Sequence, residues 1–246
     1  MAFEPVEAPE VKPFHALESC LQTTRLKSKI DDLQSLKEKL CDIWEEYNKA
    51  ADDLTWYTIE SANLPIVEQK FLKNLYDQQM VRKGTAARAI YDAILSAPPF
   101  GLCPYCGERV VYCIDHYLPK DTFPEFAVHP FNLVPACETC NRLKGGFSPS
   151  SYADQIYHPF FEQHQVCWLA AAVFWDGDCW GVYFYVDEGV FDDPKDFWRV
   201  STFFDTLELN SLFRKQLAAQ LCSIKAYLLR IWEVQGADSV REYLLG

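Results

Sequence analysis

The chemistry-bearing residues of this chain crowd into positions 103–144. Two Cys-x-x-Cys pairs, Cys103/Cys106 and Cys137/Cys140, bracket a polar centre holding Asp115, His116 and Asn132, with Asn141 directly after the last cysteine. Four thiolates complete the tetrahedral shell of a zinc ion, and a closed shell of that kind serves structure rather than catalysis. The polar centre offers different chemistry. A hard divalent cation takes oxygen ligands, which Asp115 and the amide oxygen of Asn141 supply. A neutral imidazole such as His116 takes a proton from water near neutral pH. A cation beside that base stabilises charge on a scissile phosphodiester and on its leaving oxygen. One half of the stretch reads as a structural metal site, the other as a hydrolytic one.

Thirty residues separate the cysteine pairs, more than a simple zinc ribbon needs, so the insert must fold as a unit. Val110, Tyr112 and Ile114 alternate with Val111, Cys113 and Asp115, which predicts a strand. Pro119 and Pro124 break the chain into a loop. Asn132-Leu-Val-Pro predicts a short second strand, and Glu138 to Lys144 a short helix. Strand, loop, strand and helix bring Asp115 and His116 against the helix that carries Asn141. Lys120, Arg142 and Lys144 add positive charge beside the site, either to contact substrate phosphates or to balance acidic neighbours. His129 and His158 are expected to serve packing.

The order C-x2-C, Asp-His-x-x-Pro-Lys, Asn-Leu-x-Pro-x-Cys-x-x-Cys-Asn-x-x-Lys resembles the HNH endonucleases, the ββα-metal nucleases, over residues 103–144. The resemblance implies that His116 is the general base. It implies that Asp115 and Asn141 hold a catalytic cation and that Asn132 orients the loop bearing the histidine. Cys103, Cys106, Cys137 and Cys140 correspond to the structural Zn²⁺ ligands of the four-cysteine branch. The last metal position is often histidine in that family. Asparagine here favours a harder ion, Mg²⁺ or Mn²⁺. Compact proteins of this type resemble effectors of bacterial antiphage or restriction modules, often beside an ATPase partner.

The flanks are read as scaffold. The expected architecture is α+β and mostly helical: an N-terminal helical region (1–98), a zinc-stapled ββα-metal core (99–165), and a C-terminal hairpin plus long helix (166–246). Residues 1–27, with Pro5, Pro9 and Pro13, predict an extended lead-in. A helix is expected over 29–53, capped by Ser28, with Asp31 and Asp32 in its first turn and a stripe of Ile30, Leu33, Leu36, Leu40, Ile43, Trp44, Tyr47 and Leu54. Further helices are expected over 66–81, with Val67 inward, and from Thr85 to about 96. Beyond the core, a β-hairpin around Asp-Gly-Asp-Cys precedes a short helix after Asp193-Pro194. A long helix from a cap at Asn210 to a stop at Gly236 carries a stripe from Leu212 to Trp232.

Composition sets the wider bounds. No apolar run has the length of a membrane span, and the start shows no secretory pattern, so the expected location is cytoplasmic. The six cysteines outside the pairs are expected to be reduced. A formal net charge of −12 argues against a free-standing, tight DNA binder, because phosphate-gripping proteins show a basic face. The expected substrate is DNA, ahead of RNA, held by a local basic patch or presented by a partner protein. The competing classes are a non-catalytic zinc module binding nucleic acid or protein, and an adaptor or homo-oligomer built on the 29–53 helix.

Overall fold

The computed structural model describes residues 6–22, 33–162 and 166–245. Helix dominates, with two small two-stranded sheets. Contacts divide the chain into two units. One runs to Trp168 and resumes over Val186–Leu207; the other is Leu169–Tyr185 with the chain from Glu208 onward.

The first unit wraps helices around the central stretch. Helix α1 (Pro13–Gln22) replaces the extended lead-in expected there and buries Ala16, Leu17, Cys20 and Leu21. Pro13 is its first residue, where a missing N–H costs nothing. Helix α2 (Leu33–Asp53) buries Leu36, Leu40, Trp44 and Tyr47 on one stripe. The expected cap Ser28, and Ile30, Asp31 and Asp32, lie outside the described residues. The stripe is spent inside its own unit: Trp44 Nε1 donates to the Glu125 carbonyl at 2.9 Å, and the Tyr47 hydroxyl to the Phe131 carbonyl at 3.2 Å. That leaves the adaptor reading without its apolar face.

Helix α3 (Ile66–Leu75) ends in one wide turn, Tyr76–Met80, where the Val81 N–H reaches back five residues to the Tyr76 carbonyl. Such a π turn shifts side chains off the helical register and is frequent at functional sites. Val67, expected inward, is exposed. Helix α4 (Arg88–Ser96) begins three residues after Thr85, whose hydroxyl turns back to the Gln79 and Arg82 carbonyls instead of capping it.

Strand β1 (Cys113–His116) pairs antiparallel with β2 (Leu133–Ala136), setting Asp115 opposite Val134 and His116 opposite Leu133. Helix α5 (Glu138–Lys144) follows directly and packs on β1. Helix α6 (Pro194–Thr206) is capped by Asp193, whose carboxylate accepts from the Lys195 N–H. From α6, buried Arg199 reaches the carbonyls of Gln155 and Ile156 and pairs with buried Glu162 at 2.5 Å.

The second unit joins β3 (Leu169–Trp175) and β4 (Trp180–Val186) to a long helix, α7 (Leu209–Gln235). Gly181 lies beneath the Phe174 ring, where an added Cβ would come within 2.3 Å of it. Close approach of this kind is what a glycine inside a strand permits. Asn210, expected to cap α7, accepts instead from the Phe184 N–H at 3.0 Å, beside the Phe184–Phe213 ring contact. Gly236 stops α7 at φ 87, and a further helix, α8 (Ala237–Leu245), follows. The α7 stripe is buried only at Leu209, Leu212 and Phe213; Leu221 and Trp232 remain exposed.

Candidate functional site

The four paired cysteines converge. All are buried, and their sulfurs lie within 4.8 Å of one another. The first pair sits on a tight turn in which the Cys106 and Gly107 N–H groups both donate to the Cys103 carbonyl, at 3.2 and 2.7 Å, closed by a bridge between Leu102 and Val110. The second pair spans the start of α5, where the Cys140 N–H donates to Cys137 Sγ at 3.3 Å. Hydrogen bonding from Cys103 holds the Cys106 thiol down at about 7 and Cys137 lower still, while Cys103 and Cys140 are pushed up. Two thiols biased towards thiolate, in an all-sulfur set compact enough for one tetrahedral ion, fit zinc by donor type and geometry. Cys20 is a buried small hydrophobe, its thiol pushed up to about 12 by burial; Cys167, Cys179 and Cys222 are exposed.

Adjacent to the cluster, β1 delivers Asp115 and His116 and α5 delivers Asn141 to one cavity of about 300 Å³, which Tyr76 and Lys120 also line. His116 is buried, and its Nε2 lies 3.0 Å from the Ala127 carbonyl. A carbonyl only accepts, so Nε2 carries the proton and Nδ1 keeps a free lone pair. The Tyr76 ring meets the imidazole edge-on at 4.4 Å. Burial lowers the His116 pKa to about 3, against the Ala127 hydrogen bond, so the ring is neutral across the physiological range.

Asp115 is held from two sides. The Tyr105 hydroxyl donates to Oδ2 at 2.9 Å, and Lys144 Nζ lies 3.0 Å from Oδ2 and 3.2 Å from Oδ1. Burial raises the carboxyl pKa and outweighs the opposing pull of Lys144 and Tyr105. Lys144 also donates to the His116 carbonyl at 2.7 Å, and its side chain is 0% exposed. Of the two roles the sequence left open for Lys144, contact with substrate phosphate or balance of an acidic neighbour, its ammonium takes the second, committed to Asp115 inside the protein. Lys120 pairs with Asp77 at 2.7 Å and lies over the Tyr76 ring. Arg142 is exposed and does not line the cavity.

Asn141 donates from Nδ2 to Cys113 Sγ at 3.4 Å, which leaves its amide oxygen as the free end. Asn132 is fully buried. Its Oδ1 accepts from the Leu118 N–H at 2.7 Å, and its Nδ2 donates to the carbonyls of Leu118 and Phe126 at 3.0 and 3.2 Å. One side chain thus fixes both arms of the loop joining β1 to β2. His129 and His158 pack among aromatic rings, His158 stacked on Trp56. Sequence reasoning gave no site role to Tyr105 or to Tyr76, which it set inward on the 66–81 helix. Tyr105 could have been noticed as the ring inside the first cysteine pair; nothing local marks Tyr76, which the π turn brings over His116.

No helix among the described residues is long and apolar enough to cross a membrane. No family profile matches the chain, and no solved structure matches it. The chain is similar to Septu protein PtuB of Bacillus thuringiensis, 44% identical over 48 residues, which is 18% of this chain and 19% of that protein. It is also similar to Protein ea31 of Escherichia phage lambda, 30% identical over 158 residues, which is 62% of this chain and 53% of ea31. The chain therefore spans about half the length of ea31 and about a fifth of PtuB.

Proposed function

We propose that the chain is a metal-dependent HNH endonuclease hydrolysing phosphodiester bonds of DNA, acting with a partner protein in a bacterial defence module. The observation that carries the reading is the convergence of Asp115, His116 and Asn141 on one cavity, with the His116 tautomer fixed by Ala127. In this reading His116 Nδ1 takes a proton from water as the water oxygen forms its bond to phosphorus. The bond from phosphorus to the leaving oxygen breaks, and that oxygen takes a proton from solvent. Asp115 and the Asn141 amide oxygen would hold Mg²⁺ or Mn²⁺, which supplies charge stabilisation at the phosphate and leaving oxygen. Asn132 and the Ala127 carbonyl keep the imidazole in place. An anionic phosphate nearby favours the protonated imidazole and so strengthens His116 as a base when substrate is bound. The defence context comes from the resemblance of the 103–144 motif to the HNH proteins of antiphage and restriction modules. The acidic chain supports a partner that presents the DNA.

The second reading is a zinc module without catalysis. The Asp115–Lys144 pair favours it, because that carboxylate already has a counter-charge. Plasmid cleavage in Mg²⁺ or Mn²⁺ separates the two. His116→Ala should lower cleavage by ~10²–10⁴-fold, the range for loss of a general base. Equal cutting by both proteins, or no cutting by either with its partner present, favours the zinc module.

A further inference from the structure

We infer that Tyr105 is a positioning residue that ties the cysteine cluster to Asp115 and decides which carboxylate oxygen faces a catalytic cation. The inference rests on the proposed role of Asp115 as a cation ligand. Tyr105 stands inside Cys103-Pro104-Tyr105-Cys106, so its backbone is pinned by two of the four sulfurs. Its side chain leaves the cluster and is fully buried, and its hydroxyl donates to Asp115 Oδ2 at 2.9 Å. A buried tyrosine hydroxyl requires a partner, and this one takes the residue proposed to hold the second metal.

Lys144 completes the arrangement from α5. Its Nζ lies 3.0 Å from Oδ2 and 3.2 Å from Oδ1. Oδ2 therefore takes the Tyr105 hydrogen bond and the closer approach of the Lys144 ammonium, while Oδ1 accepts from Lys144. A carboxylate oxygen accepts about two hydrogen bonds, so the Tyr105 hydroxyl takes up part of that capacity on Oδ2 and favours Oδ1 for a cation. Without the Tyr105 hydroxyl, the Lys144 ammonium, close to both oxygens, would be the side chain left to hold Asp115 and would not single out either. The same hydroxyl makes the cation site depend on the thiolate cluster: displacing the Cys103–Cys106 turn moves the donor that fixes Asp115. Groups that orient a metal ligand commonly shift metal affinity by ~10–100-fold when removed.

The test uses the full zinc-loaded chain and Mn²⁺ as the probe, with binding followed by calorimetric titration and zinc content measured in parallel. Tyr105→Phe should keep its zinc and bind Mn²⁺ ~10-fold more weakly. In an Asp115→Asn background the same substitution should leave residual Mn²⁺ binding unchanged. Half-maximal plasmid cutting should need ~10-fold more Mn²⁺, with the saturated rate nearly restored. Wild-type binding with an unchanged isotherm for Tyr105→Phe overturns the coupling while leaving the nuclease reading intact. No Mn²⁺ binding by the wild type sinks both. Should Tyr105→Phe fail to fold, the larger cadmium ion is exchanged for zinc in the wild type. An altered Mn²⁺ affinity then supports the coupling, and an unaltered one overturns it.

Discussion

His129 shows how much a single buried residue can cost. Its ring is fully buried between Trp44, Tyr47, Phe126 and Phe131, and neither ring nitrogen has a hydrogen-bond partner among the described residues. Burial alone lowers its pKa to about 3, and burial drives His158 well below its ordinary value too. The sign follows directly. The unfolded chain takes up protons near pH 6.5 and the folded chain does not, so the stabilisation is full above pH 6.5. It is lost progressively as pH falls towards about 3, by up to ~1.4 kcal/mol per pH unit for each such histidine. His129→Leu should therefore fold as well as or better than wild type at pH 7.5, since it removes a buried polar ring that has no hydrogen-bond partner among the described residues. It should also soften the loss between pH 6.5 and 4.5. Urea midpoints at those pH values check both; a variant several kcal/mol weaker at pH 7.5 would show that His129 has a polar role after all.

Among the elements, the part legible in the sequence was the part whose signals are local. Strand β2 and helix α5 lie where alternation, proline and cysteine spacing put them, because each signal acts within a few residues. Helix α1 was hidden by its prolines: Pro13 opens a helix as readily as it interrupts one. Helix α7 lies where its stripe and its glycine stop put it, although among the described residues that stripe is buried only at its start, to Phe213. Contacts made through space left no local trace. The π turn that carries Tyr76 to His116 is one, and the buried Arg199–Glu162 pair is another. Arg199 on α6 closes the segment after α5 through Gln155, Ile156 and Glu162, and Tyr117 next to His116 donates to the same Ile156 carbonyl at 2.7 Å. Removing one partner of a buried pair leaves an unpaired charge. Arg199→Met should cost ~3–5 kcal/mol, and Arg199→Met with Glu162→Gln should recover part of it. Thermal unfolding of the single and double variants measures the difference; equal loss in both would mean that Arg199 acts through its backbone hydrogen bonds alone.

Charge is the property of the whole molecule that most constrains its function. The chain carries a net −12, and the sequence offered three cations beside the site, Lys120, Arg142 and Lys144. Lys144 is enclosed with Asp115, and Lys120 is engaged by Asp77. Of these three, Lys120 and exposed Arg142 remain to neutralise phosphates next to the cavity. Each neutralised phosphate contributes about −0.9 to the slope of log K against log salt. The isolated chain should then bind duplex DNA with a slope near −2, losing only ~10-fold in affinity between 50 and 200 mM salt. A free-standing binder with six to ten phosphate contacts loses ~10³–10⁵ over the same range. Fluorescence anisotropy across a salt series reads the slope, and Arg142→Ala should flatten it by about 1. A slope of −5 or steeper would mean that a basic face elsewhere grips the backbone and that no presenting partner is required. A slope near −2 locates the missing affinity outside this chain, where a partner must supply it.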